Sequence, residues 1–320
     1  MTISQSINDN QFIMKKSNTS DTFVLARSVY FLLFCLLISC SVISCTSGDS
    51  SNNKPHKNTQ AITNPPQQRD VSVDAEIVQL KENLNSNPQD PKANYDLGKR
   101  YLDLGDPASA RDFFVKAIEL DPANLSYKIA HANTFADQGK IEEAEKIFEA
   151  VLLEDSENTD LFVSWGVMYY NLGLAYKDKE RMDIAAQKFE KTLEIDPNNI
   201  KALFNLGLLY SSTKELEKAK KYFLKVHQLE PDQAFAIQHL ANISLELNDL
   251  DACREYSEKG LKIKENAELI YFLGRVAHEK KDYKLAKEML NKFLEMNYVG
   301  TWEADARARL LEINEIDPDI

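Results

Sequence analysis

The sequence predicts an all-α protein, a solenoid of about six stacked helical hairpins with a capping helix at each end. Three observations carry this. Small residues recur at Ala110, Ala144, Ala185, Ala219, Cys253 and Ala286, in steps of 34, 41, 34, 34 and 33 residues. A second series keeps the same steps: Leu97-Gly98, His131-Ala132, Trp165-Gly166, Leu206-Gly207, Leu240-Ala241 and Leu273-Gly274. Four residues after each small residue comes Phe114, Phe148, Phe189, Phe223, Ser257 and Leu290, mostly bulky. Glycine or alanine on a first helix lets a second helix approach, and the bulky residues fill the gaps between neighbours. A lone hairpin cannot bury its apolar face, so stacking supplies the core.

The elements follow in order. Residues 73–90 form an N-terminal cap, because Ile77, Leu80 and Leu84 share a helical face. The hairpins occupy 91–124, 125–158, 159–199, 200–233, 234–266 and 267–297. Pro122, Pro197 and Pro231 close three of them, since proline disfavours a helical conformation in the residue before it. Ser156 stands in that place in the second hairpin. Ser244, Ser257 and Gly260 make the fifth the loosest expected unit. The third carries seven extra residues, echoing Trp165-Gly166 and Tyr169 as Leu172-Gly173 and Tyr176. That predicts a first helix two turns longer, with Asp178, Lys179, Glu180 and Arg181 projecting beyond the stack. A closing helix within 298–320 opens at Thr301, an N-capping residue.

These residues make the chain resemble a tetratricopeptide-repeat protein over roughly Pro91 to Asn297. The units nearest the family pattern are Asn94-Tyr-Asp-Leu-Gly98 through Ala110, Phe114, Ala117 and Pro122, and Leu203-Phe-Asn-Leu-Gly207 through Tyr210, Ala219, Phe223 and Pro231. The resemblance implies a right-handed superhelix whose first helices line a concave, partner-binding groove. Its inward residues would be Tyr95, Lys99, Ile129, Asn133, Val163, Val167, Tyr170, Phe204, Leu208, Gln238, Asn242, Tyr271 and Arg275. An apolar centre with polar flanks suits an extended or helical peptide. The Lys and Asn pair with which some relatives grip a peptide carboxylate is replaced here by Tyr95 and Lys99.

The N-terminus carries a different signal. Val29 to Ser44 is almost uninterruptedly apolar and follows Arg27 and Met14-Lys15-Lys16, the pattern of an export signal. Leu37-Ile-Ser-Cys40 and Val42-Ile-Ser-Cys45 both resemble the lipobox of bacterial lipoproteins, in which the cysteine after the cut is lipidated. Cys45 is favoured because the chain turns polar at once after it; Leu37 is the argument for Cys40. The alternative is an uncleaved single-pass anchor spanning residues 1–45. Residues 46–72 are polar and read as a disordered tether. Translation from Met14 is a second possible start. The expected location is the bacterial cell envelope, and Thr46 after Cys45 favours the outer membrane over the inner.

Composition narrows the partners. The chain has 43% hydrophobic residues, and beyond Cys45 it keeps 35 basic against 48 acidic residues. Without a basic footprint, nucleic acid is not an expected partner. The histidines His56, His131, His227, His239 and His278 are scattered, and no metal motif or phosphate loop occurs, so no metal, cofactor or enzymatic activity is expected. Cys253 reads as a core residue. His131 reads as an interior side chain and His278 as a groove candidate. The expected function is a lipid-anchored envelope adaptor that binds a protein or peptide partner. The alternatives are a self-associating structural protein and a non-catalytic regulatory subunit of an envelope enzyme complex.

Overall fold

Local signals in the sequence account for where each helix starts. A computed structural model describes residues 75–296, 298 and 302–317. The signal, lipidation cysteine and tether expected within 1–72 lie outside these residues. The described residues form fourteen helices and no strand. Helix α1 spans Ala75–Ser86. The hairpins are α2 Pro91–Asp103 with α3 Pro107–Leu120, α4 Leu125–Asp137 with α5 Ile141–Glu154, and α6 Thr159–Tyr176 with α7 Lys179–Ile195. They continue as α8 Ile200–Ser212 with α9 Leu216–Leu229, α10 Ala234–Glu246 with α11 Leu250–Ile263, and α12 Ala267–Glu279 with α13 Tyr283–Glu295. Helix α14 is Trp302–Ile316. None of the described helices is long and apolar enough to cross a membrane.

Side-chain caps set most of these boundaries. Asp90 accepts from the Lys92 amide at 2.9 Å, Asp106 from Ser109 at 3.0 Å, Asn158 from Leu161 at 2.9 Å and Asn199 from Ala202 at 3.1 Å. Each satisfies a donor that the helix cannot satisfy itself. Pro91 and Pro107 sit in first turns, where proline's missing amide costs nothing. Within each hairpin the turn needs one residue at positive φ: Gly105 (79°), Gly139 (72°), Lys177 (52°), Lys214 (63°), Asn248 (59°) and Lys281 (62°). Glycine adopts this freely, whereas lysine there is strained.

The periodic residues meet across each hairpin. A Cβ on Gly98 would stand 2.7 Å from the Phe114 ring, one on Gly166 2.6 Å from Phe189, and one on Gly207 2.7 Å from Phe223. In the last hairpin Gly274 faces Leu290 at 2.8 Å. The bulky residue therefore rests first on the glycine of its own hairpin. It then reaches the next one: Phe148 lies 5.6 Å from Trp165 and Phe223 stacks 4.7 Å from His239. Ala110, Ala144, Ala185, Ala219, Cys253 and Ala286 are fully buried beside them.

The fifth hairpin differs from its sequence expectation. Gly260 is filled by Leu269 from the next hairpin rather than left as a gap. Its weakness is polar instead, because the hydroxyls of Ser244 and Ser257 are buried without hydrogen-bond partners. The third hairpin also corrects the sequence reading, which placed all the extra length in the first helix. Helix α6 has 18 residues and α7 has 17, against 13 and 14 in the hairpin before them. The turn shortens to Lys177-Asp178, so both helices extend. Asp178 caps α7, accepting from the Glu180 and Arg181 amides, which ties the tip down.

First helices contact their counterparts in adjacent hairpins, whereas second helices mainly contact the next first helix. That asymmetry places the first helices on the inner side of the stack. The exception is α8 and α10, whose backbones barely meet and are bridged by Phe204 against His239 at 5.8 Å. Helix α14 packs on α12 and α13, occupying the place of a further first helix.

Candidate groove on the inner helices

The inner helices place the expected groove residues in three different situations. At the N-terminal end Tyr95 is half-buried between Phe114 (5.7 Å) and Tyr127 (4.9 Å), with the exposed Lys99 ammonium 5.7 Å from its ring. Asn133 reaches the Ser164 hydroxyl only at 3.5 Å, a weak hydrogen bond. Val167 is half-buried on α6. Tyr170 packs on the α6–α8 core, and burial pushes its phenol pKa up.

Further along, the side chains are engaged with one another. Phe204 meets Phe223 edge-on at 5.4 Å, and Leu208 packs into the same cluster. Gln238 accepts from Asn266 at 3.0 Å and donates to Glu268, which also accepts from Tyr298 at 3.3 Å. Asn242 reaches Glu246 at 3.4 Å. Ile129 is buried in the core, and Val163, also largely buried, borders the recess described below.

At the C-terminal end the sequence reading needs correcting. Tyr271 is 1% exposed, stacked on Trp302 at 5.1 Å, and donates to Asp305 at 2.8 Å. Arg275 lies half-buried beside the same pair, its Nε without a protein partner. His278 is likewise covered: Arg309 stands 2.9 Å from its Nδ1 and Glu312 3.3 Å from its Nε2. Arginine can only donate, so Nδ1 is the acceptor in that contact. Helix α14 lies over the inner face of α12, which removes Tyr271 and His278 from any groove.

The open part of the inner face lies at the other end. A recess of about 590 Å³ is enclosed by α2, α4 and α6, lined by Leu102, Ala136, Val163, Val167, Leu172 and Tyr176, with Asn133, Asp137, Ser164 and Asn171 supplying polarity. It joins Asn133 and Val167, which were expected in the groove, to residues the repeat register did not indicate. Leu172, Ala175 and Tyr176 belong to the lengthened α6, and Tyr176 is 70% exposed. Asp137, an exposed residue, is in no ion pair among the described residues, and the protein around it raises its carboxyl pKa. On the other flank of the α6 tip lies a second recess of about 700 Å³, bounded by Leu174, Met182, Leu209 and Tyr210.

Other titratable groups are structural. His131 is half-buried 5.0 Å from Phe135, its pKa lowered by burial and by Arg111. Cys253 is buried, and burial pushes its thiol up to about 11. Among the described residues no group of His, Cys, Asp or Glu could hold a metal ion.

Comparisons with known proteins agree with this architecture. Family models described as tetratricopeptide repeat match residues 101–162, 167–199, 188–221, 236–266 and 267–298, together more than half of the chain. The BBSome complex member BBS4 of Bos taurus is 29% identical over 129 residues, which is 40% of this chain and 23% of that protein's length. Among solved structures, pilF of Pseudomonas aeruginosa superposes with a TM-score of 0.55 at 22% identity, over 71% of this chain and 97% of that one. PilW, a type IV pilus biogenesis factor, gives 0.53 at 16% identity, over 70% and 97%. The hairpin packing, the repeat models and these shared folds establish that the chain belongs to the tetratricopeptide-repeat family.

Proposed function

We propose that this chain is a non-catalytic adaptor of the bacterial cell envelope, held to a membrane by lipid on Cys45 or, alternatively, Cys40. Its inner face receives a protein or peptide partner at the recess on α2, α4 and α6. Tetratricopeptide repeats are protein-interaction scaffolds, and one observation carries the position of this site. The recess is the stretch of inner face where the lining is apolar and open, while the C-terminal stretch is sealed by α14. An apolar floor with a few amides and one carboxylate suits a peptide segment, because hydrophobic contacts supply affinity and the polar groups fix register. PilW is a type IV pilus biogenesis factor, and the shared fold fits an adaptor role in an assembly of that general kind.

Two experiments test the reading. A photo-crosslinking residue at Val167 should trap a partner in cells, while the same residue at Glu255, exposed on α11, should not. Equal trapping at both positions would place binding elsewhere. Membrane fractionation and intact mass of the wild type, Cys45→Ala and Cys40→Ala read the anchor. Loss of the lipid mass in Cys45→Ala alone supports Cys45, loss in Cys40→Ala alone supports Cys40, and absence of lipid from all three proteins refutes the anchor.

A further inference from the structure

The chain itself enters the repeat stack near the C-terminal end of α2, the end that also borders this recess. Glu76, in the first turn of α1, pairs with Arg100 at 3.1 Å, and Lys81 lies 5.6 Å from the Tyr101 ring. Leu102, next along α2, lines the recess. Whatever precedes Ala75 is therefore delivered to the same end of α2 as the open inner face. The residues that precede it read Asn64-Pro65-Pro66-Gln67-Gln68-Arg69-Asp70-Val71-Ser72-Val73-Asp74. Fully extended, the stretch from Pro65 to Ala75 spans at most roughly 35 Å, enough to cross from α2 to α6.

The chemistry of the two sides matches. A proline pair favours the extended polyproline conformation, which presents apolar rings at low entropic cost and is recognised by exposed aromatic side chains. Tyr176 supplies such a ring, flanked by Val167 and Leu172. Asn133 and Asn171 offer amides to an extended backbone or to glutamine side chains. Asp137 lacks a cation: the nearby Lys140 lies over Phe135 at 5.8 Å, and Arg181 is taken by Tyr176 at 5.2 Å and Asp178 at 3.3 Å. Arg69 is the basic residue that the proline segment carries, and a guanidinium matches a carboxylate in a fork of parallel hydrogen bonds.

We propose that Pro65 to Arg69 of the same chain occupies the recess, with the proline pair against Tyr176 and Leu172 and the Arg69 guanidinium on Asp137. The segment is then a built-in competitor, and the external partner binds by displacing it. This rests on the recess being the partner site. Because the segment is covalently attached, its effective concentration is of order millimolar, so even a weak contact holds it in place. A segment that fills the recess nine-tenths of the time lowers apparent partner affinity about tenfold.

Cysteine pairing in the full chain tests the contact without a partner. Gln67→Cys combined with Asn171→Cys should form, under mild oxidation, a disulfide within one chain that peptide mapping identifies. Its yield should exceed at least about tenfold that of Gln67→Cys with Lys225→Cys on outer helix α9, given the effective concentrations expected of a tethered site. Asp137→Lys should reduce the yield, and adding Arg69→Asp should restore it. Equal yields for the two pairs would overturn the proposal. So would bridging found only between chains, which would make a second copy the occupant. In the partner assay, Pro65→Gly, Pro66→Gly and Arg69→Asp together should raise capture at Val167 about tenfold. No crosslink at Val167 with an intact 67–171 disulfide would sink the partner site and leave the intramolecular contact standing. Crosslinks at Val167 without the disulfide would do the reverse.

Discussion

Replacing Gly207 with alanine tests the glycine contact that four of the six hairpins share. Alanine is the better helix former by roughly 1 kcal/mol, so propensity alone predicts stabilisation. The structure predicts the opposite sign. An added Cβ would lie 2.7, 2.8 and 2.9 Å from three atoms of the Phe223 ring. That ring cannot swing aside, because Phe223 is fully buried with Phe204 edge-on at 5.4 Å and His239 stacked at 4.7 Å. Overpacking of this kind costs about 1–3 kcal/mol, leaving a net loss of up to about 2 kcal/mol after the propensity gain. Urea denaturation followed by circular dichroism measures it, with amide exchange in α8 and α9 locating the loss, since repeat stacks can open in parts. Phe223→Leu should relieve the clash, because it removes the three ring atoms that the added Cβ would meet. The double mutant should therefore be less destabilised than the sum of the singles by more than about 0.5 kcal/mol. A stabilised Gly207→Ala protein, or strict additivity with Phe223→Leu, would refute the packing argument.

Three further outcomes follow from groups already described. Ser244→Ala and Ser257→Ala remove buried hydroxyls that lack partners, and each should leave stability unchanged or raise it by about 1 kcal/mol, read as a higher urea midpoint. His239 is pressed against Phe223 and its pKa is lowered by burial. Its folded state holds the neutral ring, so its contribution is present above the unfolded histidine value of about 6.5 and is lost as pH falls below it. A His239→Gln protein should show a flatter stability profile between about pH 7 and 5. The Cys253 thiol, pushed up to about 11, should resist alkylation at pH 8 in the folded chain and react on unfolding. Its contribution to stability is present below the unfolded thiol value of about 8.5 and declines as pH rises from there toward 11.

The hairpin register was legible because two residue series with one period leave no other way to bury both faces, and Gly98 on Phe114 shows the contact that enforces it. The third hairpin was only half legible. Its turn is made by Lys177 at positive φ, a residue that gives no turn signal, so the sequence reads as one longer helix where two share the extension. The expected groove was misread at its C-terminal end. Tyr271 occupies an inward slot of the repeat, but α14 lies where the next inner helix would, and an inward slot beneath a cap is core. The recess was missed because Leu172, Ala175 and Tyr176 lie in turns with no counterpart in the other hairpins. The echo of Leu172-Gly173 and Tyr176 was the one hint that these turns carry an apolar face.

The uneven contact between inner and outer helices has a mechanical meaning. A row of units joined along one edge bends about that edge like a leaf spring, and small rotations at each joint add up over its length. The stiffness is not uniform, because α8 and α10 are joined by side chains rather than by close backbones. A load along the stack is therefore carried at that joint by α9 against α10 and by the side chains between them, with Phe223 stacked on His239.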